Sequence, residues 1–231
     1  MQIFGLQKTT LLDYPEKLAS IIFCGGCNMN CPFCHNSELI TLPKTGRISE
    51  EEVLAHLKKR AGTLDGVVIT GGECTLQKDL ADFCKKVKDL GLLIKIDTNG
   101  TRPEVLKELV SKNLVDYFAM DIKNSKEKYG FTCGCETINF DKLQESINFL
   151  MEGHVDYEFR TTVIKEYHDA DDIKAIGEWL AGANALYLQA FQSSDAVRDK
   201  SLSSPTKEEL LSYQTILEPY FNHVEIRGVD L

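Results

Sequence analysis

Seven short apolar runs recur along the 231 residues, and helical patterns lie between most of them. The runs are Leu18 to Phe23, Gly66 to Thr70, Leu92 to Asp97, Val115 to Asp121, Tyr157 to Ile164, Leu186 to Gln189 and His223 to Arg227. Leu76, Leu80, Phe83, Val87 and Leu90 make one stripe at helical spacing, and Gly91 fits its stop. Phe140, Leu143, Ile147 and Leu150 make another. Ser49 and Glu52 read as a capping box, and Pro103 as a first helical residue. Strand, helix, strand repeated about six times predicts parallel pairing through right-handed crossovers, an α/β fold. The runs are apolar throughout, as expected when both faces of a sheet are covered. A closed or partly closed β/α barrel fits this rhythm, and so does an open doubly wound sheet. The length permits a sizeable core, and residues 1–231 are expected to form one domain.

Composition narrows the function classes. The formal net charge is -9, which argues against general binding to a phosphate backbone, so no nucleic-acid partner is expected. No apolar run approaches the roughly 20 residues of a membrane span. Met1 to Gly5 lacks the basic and apolar regions of a secretory signal, which makes the cytoplasm the expected compartment. Eight cysteines in such a compartment point to metal or catalysis before disulfides. Cys24, Cys27, Cys31 and Cys34 are clustered, unlike a stapling framework.

The spacing Cys27-x3-Cys31-x2-Cys34 has rival readings. Cys24 and Cys27 with Cys31 and Cys34 would make two zinc knuckles. Only three residues separate those pairs, far from the roughly 12 to 20 of zinc ribbons and fingers. An iron–sulfur cluster fits better, and three thiolates would leave one iron of a four-iron cluster without a protein ligand. Cys24 as a fourth ligand would close that cluster. It ends an apolar strand, where a small buried hydrophobe is the plainer role. In βα architectures chemistry gathers at the C-terminal strand ends. Those ends carry the cysteine run, then Thr70-Gly71-Gly72-Glu73-Cys74, Asp97-Thr98-Asn99-Gly100, Met120-Asp121-Ile122-Lys123, Arg160-Thr161-Thr162 and Gln189-Ala190-Phe191. Polar or ligating groups at all six ends are predicted to share one rim.

The cysteine spacing, with Phe33 before its last member, resembles the radical S-adenosylmethionine (SAM) superfamily. The flanking text is similar to the anaerobic ribonucleoside-triphosphate reductase activating proteins, relatives of the pyruvate formate-lyase activating enzymes. It comprises Gly5 to Pro15, Gly25-Gly26-Cys27-Asn28 and Cys31-Pro32-Phe33-Cys34-His35-Asn36, and the likeness runs from about Leu6 to Gly228. The resemblance implies a partial (β/α)6 barrel, one radical SAM domain over residues 1–231. It implies that Cys27, Cys31 and Cys34 hold a [4Fe–4S] cluster whose open iron takes SAM. Reductive cleavage of SAM would give a 5′-deoxyadenosyl radical that generates a glycyl radical on a partner enzyme, most simply anaerobic ribonucleotide reductase. The implied electron donor is a low-potential protein such as flavodoxin or ferredoxin.

By the same resemblance Phe33 meets the adenine, and the backbone of Gly71, Gly72 and Glu73 binds the amino group of SAM. Cys74 departs from the family, which has proline there. Asp97, Thr98, Asp121 and Lys123 match polar positions around the methionine carboxylate and ribose. Two aspartates beside a bound carboxylate would repel it, so a monovalent cation near Asp97 and Asp121 is implied as a companion. Arg160, inside an apolar strand, is expected to be paired or to bind a carboxylate. Gln189 and Phe191 fall near the adenine-contacting strand end. The plainer readings are a core aromatic for Phe33, and solvated loop residues for the aspartates and Lys123.

Two loops are long enough to be functional, Asn124 to Ile138 and Gln192 to Pro205. The first contains Cys133-Gly134-Cys135, which lacks partners for a second metal site. Cys84 reads as core, and His35 as holding a local hydrogen bond. Two alternatives remain. One is a radical SAM enzyme acting on a small molecule, like the 7-carboxy-7-deazaguanine synthases. The other is a non-enzymatic iron–sulfur or zinc module.

Overall fold

The computed structural model describes residues 1–229. Eight strands form one sheet in chain order: β1 (Ile3–Thr10), β2 (Ala19–Cys24), β3 (Gly66–Gly71), β4 (Leu93–Thr98), β5 (Tyr117–Asp121), β6 (Asp156–Val163), β7 (Ala185–Ala190) and β8 (His223–Arg227). From β2 to β8 every neighbouring pair is parallel, and β1 runs antiparallel to β2. The sheet does not close, leaving β1 and β8 as edges. The helices are α1 (Glu50–Arg60), α2 (Leu80–Lys88), α3 (Pro103–Ser111), α4 (Tyr129–Cys133), α5 (Phe140–Met151), α6 (Ala170–Trp179) and α7 (Lys207–Leu217).

The strand order never reverses, so there is no switch point of the doubly wound kind. Right-handed crossovers in one direction put every helix on one face, and the result is a partial barrel. The main core lies between that outer face and the helices. It is filled by Ile22, Ile69, Ile96, Phe118 and Phe159 from the strands, and by Leu57, Phe83, Leu109 and Ile147 from the helices. Strand β1 is absent from the predicted runs. An antiparallel neighbour needs no helical crossover, so the βα rhythm carries no sign of it.

The inner face departs from the expectation of apolar strands. Tyr14, Ala19, Ile21 and Val68 cluster at its N-terminal end, with Phe23, Leu93 and Tyr117 packed against them. Toward the C-terminal ends the same face carries buried charge. Lys95 and Glu158 are 1% and 0% exposed. Side chains two apart on a strand share a face, so Lys95 stands in line with Asp97, and Glu158 with Arg160.

The helix starts follow local chemistry. Pro103 opens α3. The Ser49 hydroxyl accepts the Glu52 N–H at 3.1 Å, the first half of the expected box. Complete boxes stand instead at Asp169/Asp172 before α6 and Thr206/Glu209 before α7. Each such cap contributes about 1 kcal/mol. Among the described residues no helix is long and apolar enough to cross a membrane.

Candidate active site

Cys27, Cys31 and Cys34 follow β2 on a loop, and all three line one cavity of about 210 Å³. The cavity lies at the C-terminal strand ends, where residues from β3 to β7 complete it. Cys24 does not line it and is fully buried in β2. Cys74 is also fully buried, and its thiol donates to the Asp97 carbonyl at 3.3 Å.

The cysteine loop is held by backbone bonds from below. Gly72 N–H donates to the Cys24 carbonyl at 2.7 Å, and Glu73 N–H to that of Gly26 at 2.8 Å. A Cβ on Gly72 would strike the Gly26 carbonyl oxygen. Gly71, at φ +114°, leaves no room against the Cys24 backbone. These glycines thus allow two chain segments to meet, a constraint separate from any approach to a ligand.

The two long loops hold the cysteine loop from the sides. Asn30 N–H donates to the Cys133 carbonyl at 3.0 Å. Arg198 donates to the carbonyls of Asn30 at 2.6 Å and Cys31 at 3.1 Å. His35 Nε2 lies 2.6 Å from the Gln192 carbonyl. That partner can only accept, so Nε2 carries the proton and the local structural role holds.

The cavity floor is an ion network. Arg160 donates to Asp97 at 3.2 Å and through Nε to Asp121 at 3.0 Å. Lys95 pairs with Asp97 at 2.6 Å, and Lys123 with Asp121 at 2.9 Å. Burial pushes both carboxyls up. The Arg160 charge, with Lys95 for Asp97 and Lys123 for Asp121, outweighs it, lowering Asp97 and holding Asp121 well below the usual carboxylate range. Burial likewise pulls Lys123 down, and Asp121 reverses that and holds it protonated. Lys95, Lys123 and Arg160 offset Asp97 and Asp121 within the network, and Glu73 adds a third carboxylate to the lining. The two aspartates are therefore paired, and the repulsion that motivated a monovalent cation is already offset by side chains.

Glu73 is 1% exposed and has no cation beside it. Its carboxylate accepts from Thr98 Oγ1 at 2.8 Å, Asn99 N–H at 2.7 Å, and the Thr75 N–H and hydroxyl. Burial pushes its pKa up against the pull of these donors. The Glu73 and Thr98 side chains are thus spent in joining the ends of β3 and β4. His168 supports Lys123 from behind, with Nε2 3.0 Å from the Lys123 carbonyl. Burial pushes its imidazole pKa down.

Of the predicted positions, Phe33, Gly71, Gly72, Glu73, Asp97, Thr98, Asp121, Lys123, Arg160 and Gln189 line the cavity with the three cysteines. Phe191 does not. It is 1% exposed and packs its ring 5.7 Å from that of His35. Asn99 and Thr162, on the predicted rim but given no role, also line it, while Met29 in the lining and Lys95 beneath it went unread. Strand parity held the signal for Lys95 and Thr162, two residues from Asp97 and Arg160.

A family model described as the radical SAM superfamily matches residues 21–180. A Methanocaldococcus jannaschii protein, provisionally named a glycyl-radical enzyme activating enzyme, is 34% identical over 99% of this chain and 96% of its own. The pyruvate formate-lyase-activating enzyme of Clostridium pasteurianum is 28% identical over 57% of this chain and 56% of its own. Among solved structures, a domain of pyruvate-formate lyase-activating enzyme from Bacteroides vulgatus superposes with a TM-score of 0.58 at 21% identity. It covers 71% of this chain and 99% of that domain. The chain belongs to the radical SAM superfamily of enzymes. Within it, the similarity runs to the glycyl-radical enzyme activating enzymes.

Membership implies a [4Fe–4S] cluster and SAM. The donor set fits them. Three soft thiols line the cavity and no fourth cysteine does. Burial pushes the Cys27 and Cys31 thiols up to about 12 and about 11, so ligation would displace their protons. Lys123 and Arg160, both in the lining, suit a ligand carboxylate.

Proposed function

We propose that this chain is an activase that cleaves SAM reductively and leaves a glycyl radical on a partner enzyme, anaerobic ribonucleoside-triphosphate reductase. Cys27, Cys31 and Cys34 would hold the cluster, which when bound supplies the electron for that cleavage. The chain's own residues bind and orient. Lys123 and Arg160 offer charge to the methionine carboxylate, with Asp97 and Asp121 holding both cations in place. The backbone of Gly71, Gly72 and Glu73 faces the amino group. Phe33, 4% exposed, gives an apolar wall beside the adenine and excludes water. Thr98 and Gln189 complete the lining, while Phe191 supports it through His35. A monovalent cation near Asp97 and Asp121 would add to the charge that faces the carboxylate.

The observation that carries the reading is the union, in one cavity, of three thiols with Lys123 and Arg160, both held on aspartates. Similarity to a glycyl-radical enzyme activating enzyme over nearly the whole chain supports the activase reading over small-molecule chemistry. The reading takes residues 1–231 as one radical SAM domain working in the cytoplasm, reduced by a flavodoxin- or ferredoxin-like donor. The test mixes reduced, reconstituted chain with the reductase and SAM without oxygen. A glycyl-type EPR doublet is expected. An intact cluster that cleaves SAM but yields no doublet would refute the activase reading. Full cleavage after Cys27, Cys31 and Cys34 are all changed to Ala would refute the cluster assignment.

A further inference from the structure

Two thiols outside the cavity remain unused by this chemistry. Cys133 ends α4, Gly134 turns at φ +66°, and Cys135 follows. Cys133 is buried and Cys135 is partly exposed, so the pair has one accessible member. The Cys135 thiol lies 3.6 Å from the Cys133 carbonyl and 3.6 Å from the Asn28 carbonyl of the cysteine loop. The Cys133 carbonyl receives the Asn30 N–H at 3.0 Å. Gly134 presses on Asn30 so closely that a Cβ there would strike its carbonyl oxygen. The thiols also act on each other: burial, then the Cys135 thiol, pushes Cys133 up to about 12.

We propose that Cys133 and Cys135 are a redox-active dithiol, a modification site that closes to a disulfide by exchange with small disulfides such as oxidised glutathione. The more accessible Cys135 thiolate attacks one sulfur of the reagent, forming a mixed disulfide and expelling one thiolate. Cys133 then loses its proton and attacks the Cys135 sulfur, expelling the second. Two electrons pass to the reagent, and the two protein protons end on the two released thiols. Closure draws the Cys135 sulfur toward Cys133 and away from the Asn28 carbonyl. It strains the turn on which Asn30 rests, so oxidation loosens the loop that carries Cys27, Cys31 and Cys34.

The inference is independent of the proposed function, because it can be read in a chain unable to hold a cluster. Full-length protein with Cys27, Cys31 and Cys34 changed to Ala leaves Cys24, Cys74 and Cys84 fully buried besides this pair. This variant and the reconstituted wild type are treated with oxidised glutathione, trapped with an alkylating agent and mapped by mass spectrometry. The expected product in both is a peptide with Cys133 joined to Cys135 and neither alkylated. Cys133→Ser should stop at a glutathione adduct on Cys135. In the wild type, amide exchange at Asn30 should quicken about tenfold on oxidation, as a lost local constraint allows. Two alkylated cysteines after treatment, or a glutathione adduct that persists in the wild type, would overturn the dithiol. A disulfide that leaves Asn30 exchange unchanged would overturn its link to the loop.

Discussion

Arg160 is the residue on which both floor aspartates depend. Its side chain is 13% exposed, so its loss leaves Asp97 and Asp121 each with one lysine in a poorly hydrated place. Arg160→Gln is expected to cost about 3 kcal/mol, the low end for a broken buried pair, measured by urea unfolding at pH 7. The pH dependence has a definite sign. Folded Asp97 and Asp121 have lowered pKa values, so their pairing stabilises fully above the unfolded value of about 3.9 and is lost as pH falls. The variant should therefore lose stability less steeply than the wild type below about pH 4. A parallel acid slope in both proteins would count against the network. Thr161 makes the opposite case, because its buried hydroxyl has no hydrogen-bond partner among the described residues. Thr161→Val should be neutral or stabilising by up to about 1 kcal/mol. At this scale the sequence was most legible where motif and strand end coincide, as at Asp97 and Arg160. Lys95 went unread because a lysine in an apolar strand gains meaning only once the strand's inner face is known.

At the scale of elements, the cysteine loop is held by three neighbours: the Gly71–Gly72 turn, the α4 loop and the segment after β7. Gly72→Ala should cost more than about 1 kcal/mol and lower the iron bound per chain after reconstitution, because the intruding atom meets backbone. Gly62→Ala has open space around it and should change neither, which makes it the matched control. Equal iron content in the two variants would show that the turn does not set the loop. The sequence marked the two flanking loops as long and no more. Their work is done by isolated bonds to backbone carbonyls, and such bonds leave no periodicity to read. Helix positions were legible, since stripes and caps are written in side chains. The capping box at Ser49 was half met, while those at Asp169 and Thr206 were overlooked.

At the scale of the whole molecule, the βα rhythm carried the order of seven parallel strands. It did not carry β1 or the failure to close, because neither depends on a crossover helix. The open side puts weight on the edge strand β8. Arg227 forks onto the fully buried Glu158 at 3.1 Å with both nitrogens, tying that edge to the interior. Arg227→Ala strands a buried carboxylate and should cost about 3 kcal/mol. The check is thermal unfolding with hydrogen exchange, which should show β8 opening before β2 to β5. Removing iron from the reconstituted chain with a chelator should also lower its Tm, as for any ligand held only by the folded state.

The apolar cluster of Tyr14, Ala19, Ile21 and Val68 has a consequence for traffic. It fills the lower end of the inner face beneath β2 to β5, which leaves the rim and the unclosed side as the ways into the cavity. Spent fragments and fresh reactants have to share those ways, and a partner seated over them would hold the spent ones in until it moved away.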